Sequence, residues 1–114
     1  DEQVALAEKL VEVGANLIQT EGGTSSDPTH SGTLGLIEKA APTLAAAHSI
    51  SRAVSVPVIC ASGLSTVTAP MAITAGASGV GVGSAINKLN DEVAMVAAVR
   101  SLVESLQSSI KVNL

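Results

Sequence analysis

At 114 residues, with six Lys and Arg against ten Asp and Glu, the chain is one modest domain of net charge −4. No basic tract is present, which excludes a dedicated binder of nucleic acid or of anionic membranes. The composition is 46% apolar and 14% charged, too hydrophobic for disorder, yet no run approaches the roughly 18 apolar residues of a membrane span.

Taken in chain order, Asp1-Glu2-Gln3 carries none of the features of a signal peptide. Residues 2–13 read as a helix with Val4, Ala7, Leu10 and Val11 on one face, Asp1 as its cap and Gly14 just past its end. Asn16-Leu-Ile-Gln-Thr-Glu21 reads as a strand. A polar segment from Gly22 to Gly32 follows, with Thr24, Ser25, Ser26, Asp27, Pro28, Thr29 and His30. Its length exceeds the usual strand-to-helix loop of about two to six residues, and long loops are more often functional. Helical pattern resumes at Thr33–Lys39, is expected to break at Ala41-Pro42, and continues through Thr43–Val54.

Val56–Ala61 is a second strand, apolar on both faces, and Ser62–Ser65 is a short loop into a helix at about 66–75 that Gly76 ends. Gly79–Gly83 is a third strand. The last helix runs from Asp91 to Ser109, with Asn90 as its cap and Asp91 and Glu92 at the positive end of its dipole. The order αβαβαβα predicts an α/β fold, a parallel sheet covered by helices, with right-handed crossovers setting the strands side by side in chain order. With no Phe, Tyr or Trp, the core is built from Ala, Val, Leu, Ile and Gly, and stacking on nucleic-acid bases is excluded.

A closed (β/α)₈ barrel takes roughly 250 residues and eight strands, and three strands leave two sheet edges unpaired. The expectation is therefore the C-terminal part of a TIM-type barrel, or a protomer completed by a partner or by copies of itself. A free-standing three-stranded sheet is the alternative.

The strongest chemical signal is a pair of glycine-containing turns, Cys60-Ala-Ser-Gly-Leu-Ser-Thr66 and Gly76-Ala-Ser-Gly-Val-Gly-Val-Gly-Ser-Ala85. Each lies at the carboxyl end of a strand, where backbone N–H groups are free to meet an anion. The stretch resembles the phosphate-binding end of flavin- and sugar-phosphate-binding (β/α)₈ barrels. That resemblance implies phosphate contacts from Ser62, Gly63 and Leu64 on one turn and from Gly83, Ser84 and Ala85 on the other. The ligand it implies is flavin mononucleotide or a phosphorylated metabolite. Leu64 stands where the pattern usually has a second glycine, and its N–H still serves if φ is negative. The other reading is that these glycines only allow tight turns and close packing.

A second resemblance covers nearly the whole chain. Glu12-Val-Gly-Ala-Asn-Leu-Ile-Gln-Thr-Glu-Gly-Gly-Thr-Ser-Ser26, Pro28-Thr-His-Ser-Gly-Thr-Leu-Gly-Leu-Ile-Glu-Lys39 and Asn87-Lys-Leu-Asn-Asp-Glu-Val-Ala94 resemble the hypothetical chloroplast reading frame twenty-three family of cyanobacteria and plastids. Its members are roughly twice this length and of uncharacterised function. The resemblance implies a plastid stroma or cyanobacterial cytoplasm, and an N-terminal half beyond this chain.

Gln19 and Glu21 share one strand face with Leu17 near the carboxyl end, where barrel enzymes place working groups, and His30 lies in the loop above. Gln19, Glu21 and His30 are the candidate catalytic groups, a carboxylate and an imidazole serving as base and acid. The alternatives are that Glu21 caps or pairs with a neighbour, and that Asp27-Pro28 only starts a turn. His48 reads as a helix-surface residue, and Cys60 as inert packing that fits a reducing compartment. Metal-ligand spacing, a Gly-x-Ser-x-Gly elbow, a Walker lysine motif and a dinucleotide fingerprint are all absent from the sequence.

Overall fold

The computed structural model describes residues 1–21 and 27–113, with side chains through residue 107. The middle of the long polar segment, including Thr24, Ser25 and Ser26, lies outside the described residues. Eight elements follow one another: α1 (Glu2–Glu12), β1 (Ile18–Thr20), α2 (Gly32–Ala53), β2 (Val58–Ala61), α3 (Ala69–Ala75), β3 (Gly79–Gly81), α4 (Ser84–Asn87) and α5 (Glu92–Asn113). The three strands form one parallel sheet in the order β1-β2-β3, with Gln19 beside Ile59 and Cys60 beside Val80. Chain order and spatial order coincide, as crossovers of one hand require.

The helices lie to one side of this sheet. Ile18 and Thr20 of β1 and Val58 and Cys60 of β2 turn toward α2, where they meet Ala40, Thr43, Ala46, Ala47 and Ile50. Ala7 of α1 and Ala72 of α3 join the same core. The helix row runs in chain order, α1 against α2, α2 against α3 and α3 against α5. Alanine supplies much of this core, and a small side chain lets helix and strand backbones approach closely. The opposite face of the sheet carries Leu17, Gln19 and Glu21, all exposed, and half-buried Ile59. Gly79 and Gly81 add no side chain to that face, where a Cβ would come within 3.2 Å of Ile59 or 3.1 Å of Ala61. The expected helical cover is thus present on one face only.

A buried hydroxyl chain ties α2 to the sheet. Thr43 Oγ1 donates to the Ala61 carbonyl, so Thr20 Oγ1, 2.8 Å away, donates to Thr43. The Cys60 thiol donates to the Thr43 carbonyl at 3.6 Å. These side chains are buried, and every buried side-chain polar atom among the described residues has a partner. Cys60 is an internally satisfied thiol with no exposed surface, the inert packing residue its strand position implies.

Several local expectations are corrected. Proline 42 does not end its helix: α2 runs unbroken through it. Pro42 removes one backbone hydrogen bond, but Ala40 before it and Thr43, Ala46, Ala47 and Ile50 after it bury one continuous face, which outweighs that loss. Asn90 is not the cap of α5. It takes φ 53°, a left-handed turn, and the Asp91 carboxylate instead accepts from the Ala94 N–H at 3.3 Å. The first helix does begin as expected, with Asp1 accepting from the Gln3 N–H at 3.0 Å, and Gly14 beyond its end has φ 115°. The strands are shorter than the apolar runs that announce them, and α4 is an additional short helix after β3.

Candidate functional site

At the carboxyl ends of all three strands the chain forms a cleft of about 390 Å³, within the usual range for small-molecule sites. Its floor is the uncovered sheet face, with Gln19, Ala61 and Gly81. Glu21 stands at one rim. The turn after β2 contributes Ser62, Gly63 and Leu64, and the turn after β3 contributes Gly83, Ser84 and Ala85. Eight of the nine residues singled out from the sequence therefore line one cavity.

The two turns present their backbones differently. Ser62 and Gly63 are consecutive left-handed residues, at φ 79° and 75°, and serine in that region is uncommon. A Cβ at position 63 would lie 2.9 Å from the Lys39 carbonyl oxygen, so both φ and the close approach of α2 require glycine there. Leu64 is outside the left-handed region and buries its side chain in the core, leaving its backbone at the cleft. Exposed Gly83 leads straight into α4, whose first hydrogen bonds run to the Gly83 carbonyl. No described residue accepts from the N–H groups of Gly63, Leu64, Gly83, Ser84 or Ala85. Unsatisfied backbone donors at one cavity are the physical requirement for holding an anion without basic side chains.

Lys39 also lines the cleft. The sequence offers no local sign of this, because its place is set by α2 lying against the turn after β2. Its side chain is half-buried, and it forms no ion pair with a described residue. The cleft thus combines Lys39 and N–H donors that have no acceptor among the described residues with Glu21 and Gln19 on the β1 side.

His30 is not brought to the cleft. Its exposed ring places Nδ1 2.9 Å from Glu38 Oε1 and 3.0 Å from Thr29 Oγ1, and its backbone N–H donates to the same carboxylate at 3.1 Å. Glu38 also accepts from the Thr29 hydroxyl at 2.6 Å. The Thr29 hydroxyl, and after it the bonds from His30 and the backbone, hold the Glu38 carboxyl below the ordinary glutamate range. This cluster fastens the end of the polar segment to α2. His48 is exposed on α2, its Nδ1 3.3 Å from the Ala75 carbonyl, and Ser51 also donates to that carbonyl.

A second, largely apolar groove of about 220 Å³ runs beside the free edge of β1, between Leu6 and Leu10 of α1 and Ile50 of α2. Gln3, Gln19, Thr20 and Glu21 supply its polar lining, and Gln19 and Glu21 are shared with the cleft. Among the described residues, no three His, Cys, Asp or Glu residues come together to hold a metal, and no helix is long and apolar enough to cross a membrane.

The model of a family described as "Protein of unknown function (DUF561)" matches residues 1–112. An uncharacterized protein ycf23 of Porphyra purpurea is 38% identical over 109 residues, covering 96% of this chain and 41% of that relative. Its counterpart from Cyanophora paradoxa is 39% identical over 94 residues, 82% of this chain and 38% of the relative. The one from Pyropia yezoensis is 36% identical over 96 residues, 84% and 35% respectively. The chain spans about two fifths of the length of these curated relatives. No solved structure matches it.

Proposed function

The chain belongs to the DUF561 family and is similar to ycf23 proteins, and from that premise we propose that it binds a phosphate-bearing ligand in the cleft above β1, β2 and β3. The carrying observation is that two turns whose N–H groups find no acceptor among the described residues line one cavity together with Lys39. The phosphoryl group lies against Gly63, Leu64, Gly83, Ser84 and Ala85, with Ser62 and Lys39 beside it. Gln19 and Glu21 then face the rest of the ligand across the sheet surface.

The same chain is read as part of a (β/α)₈-type barrel, with further strands continuing the sheet. Three features support this: strands in chain order, helices confined to one face, and a groove beside the free β1 edge. A doubly wound sheet distributes its helices over both faces, whereas a barrel keeps them all outside. A short extra helix after the last strand, in the position of α4, is a recurrent part of barrel phosphate sites. The family resemblance supports a plastid stroma or a cyanobacterial cytoplasm as the compartment.

The ligand is flavin mononucleotide or a phosphorylated metabolite. The donor set suits the phosphoryl group common to both, and bound flavin would supply redox chemistry of its own. His30 favours a second reading, ligand binding in a regulatory role without catalysis. Its ring is engaged with Glu38 and Thr29, so the acid and base expected to work together stand apart.

Thermal unfolding with and without inorganic phosphate or flavin mononucleotide tests the site. A ligand that binds only the folded chain stabilises it by about 2.7 kcal/mol at 100 times its dissociation constant. A shift with flavin that exceeds the shift with phosphate identifies the flavin reading, and equal shifts identify the phosphoryl group alone. A cooperative transition that neither compound moves overturns the binding proposal.

A further inference from the structure

Helix α5 uses its inner face, centred on Leu102, to pack against α3. Its outer face has no cover among the described residues. Val93 is 78% exposed and Val96 53%, and Val99 and Val103 are each nearly half exposed. At 3.6 residues per turn, Glu92, Val93, Val99, Arg100 and Val103 all lie within about 60° of Val96. An apolar stripe of this kind on a helix is a contact surface in search of a partner.

The order of side chains along the stripe specifies what that partner is. Positions equally spaced on either side of Val96 carry complementary residues: Val93 against Val99, and Glu92 against Arg100. A two-fold axis through Val96, perpendicular to the helix, lays a second α5 antiparallel on the first. Val96 then meets Val96 of the second copy, Val93 meets Val99, and Glu92 meets Arg100 at both ends. Neither Glu92 nor Arg100 forms an ion pair with a described residue of its own chain, so both charges remain available. A parallel arrangement in register would set like charges together and has no such complementarity.

We propose that the outer face of α5 docks a second copy of this chain, as an antiparallel helix pair centred on Val96. The surface lies apart from the phosphate cleft, since none of the cleft residues belongs to α5. The contact is small, so the dimer is a concentration-dependent one.

Analytical ultracentrifugation of the purified protein from micromolar to millimolar concentration reads the association directly. Val96→Glu puts two like charges on the two-fold axis and is expected to weaken the dimer by roughly tenfold or more. Arg100→Glu opposes two carboxylates at each end and weakens it too, while the exchange Glu92→Arg with Arg100→Glu restores association. These positions are exposed, so circular dichroism and the thermal midpoint should stay unchanged. Leu6→Glu, in the groove beside β1, is expected to leave the dimer intact. A monomer at every concentration overturns the proposal, as does a dimer that Leu6→Glu dissolves and Val96→Glu does not. Failure of the charge exchange to restore association overturns the antiparallel register.

Discussion

Two polar regions of this molecule lie within one strand length of each other and behave in opposite ways. Beneath the sheet, Thr20, Thr43, Cys60 and the Ala61 carbonyl close a hydrogen-bonded chain in which every buried side-chain group has a partner. Just beyond the end of β2, the N–H groups of Gly63 and Leu64 find no acceptor among the described residues, and those of Gly83, Ser84 and Ala85 do the same across the cleft. Burial explains the difference. Inside, an unmatched hydroxyl carries its full desolvation cost, so the chain satisfies it internally. At the open cleft water substitutes, and the donors stay available for a ligand. The closed region holds α2 in place, and the open one uses that placement, since Lys39 of α2 lines it.

The comparison breaks most visibly at Thr43. Thr43→Val keeps the volume but strands the buried Thr20 hydroxyl and the Ala61 carbonyl, and should destabilise the fold by about 3 kcal/mol in urea titration. A neutral result would mean the hydroxyl chain does not hold α2 to the sheet. Gly63→Asp acts on the open region: it should abolish the phosphate-dependent gain of about 2.7 kcal/mol expected at saturation, by adding a like charge and a clash with the Lys39 carbonyl. Thermal unfolding with and without phosphate separates that loss from the variant's own destabilisation. Lys39→Ala is a finer cut. It should weaken phosphate binding by about 1 kcal/mol, roughly fivefold, while the ligand-free midpoint barely moves.

The smallest effect concerns Glu38, whose carboxyl is held low by Thr29 and His30. A depressed folded value contributes stability above the ordinary glutamate range and loses it as pH falls through the depressed value. Acidification below that range should therefore release residues 29 and 30 from α2, seen as lost amide protection at Thr29 and His30 relative to the intrinsic exchange rate at each pH. Glu38→Gln should show that lost protection already at neutral pH, with little further change in protection on acidification. A variant that keeps slow exchange would show that the cluster does not fasten this segment.

The sequence by itself determined the order of the elements other than α4, the parallel pairing in chain order and the two glycine-containing turns. Each of these follows from local pattern or chirality: apolar runs of strand length, helical spacing, and the single hand of crossovers. It also marked Gln19 and Glu21 as one strand face, because alternation needs no distant partner. Tertiary structure decided what depends on contacts between one element and another. Continuous burial of α2 carried it through Pro42, against the local preference to break. The hydrogen bonds from Thr29 and His30 to Glu38 drew His30 away from the cleft that its loop position suggested. The close approach of the Lys39 carbonyl to Gly63 set Lys39 at the cleft, where no motif announced it. Local rules fix which backbone shapes a segment favours, but which side chains share a cavity is settled by the packing of helix against sheet, through pairs such as Lys39 and Gly63 that local pattern does not join.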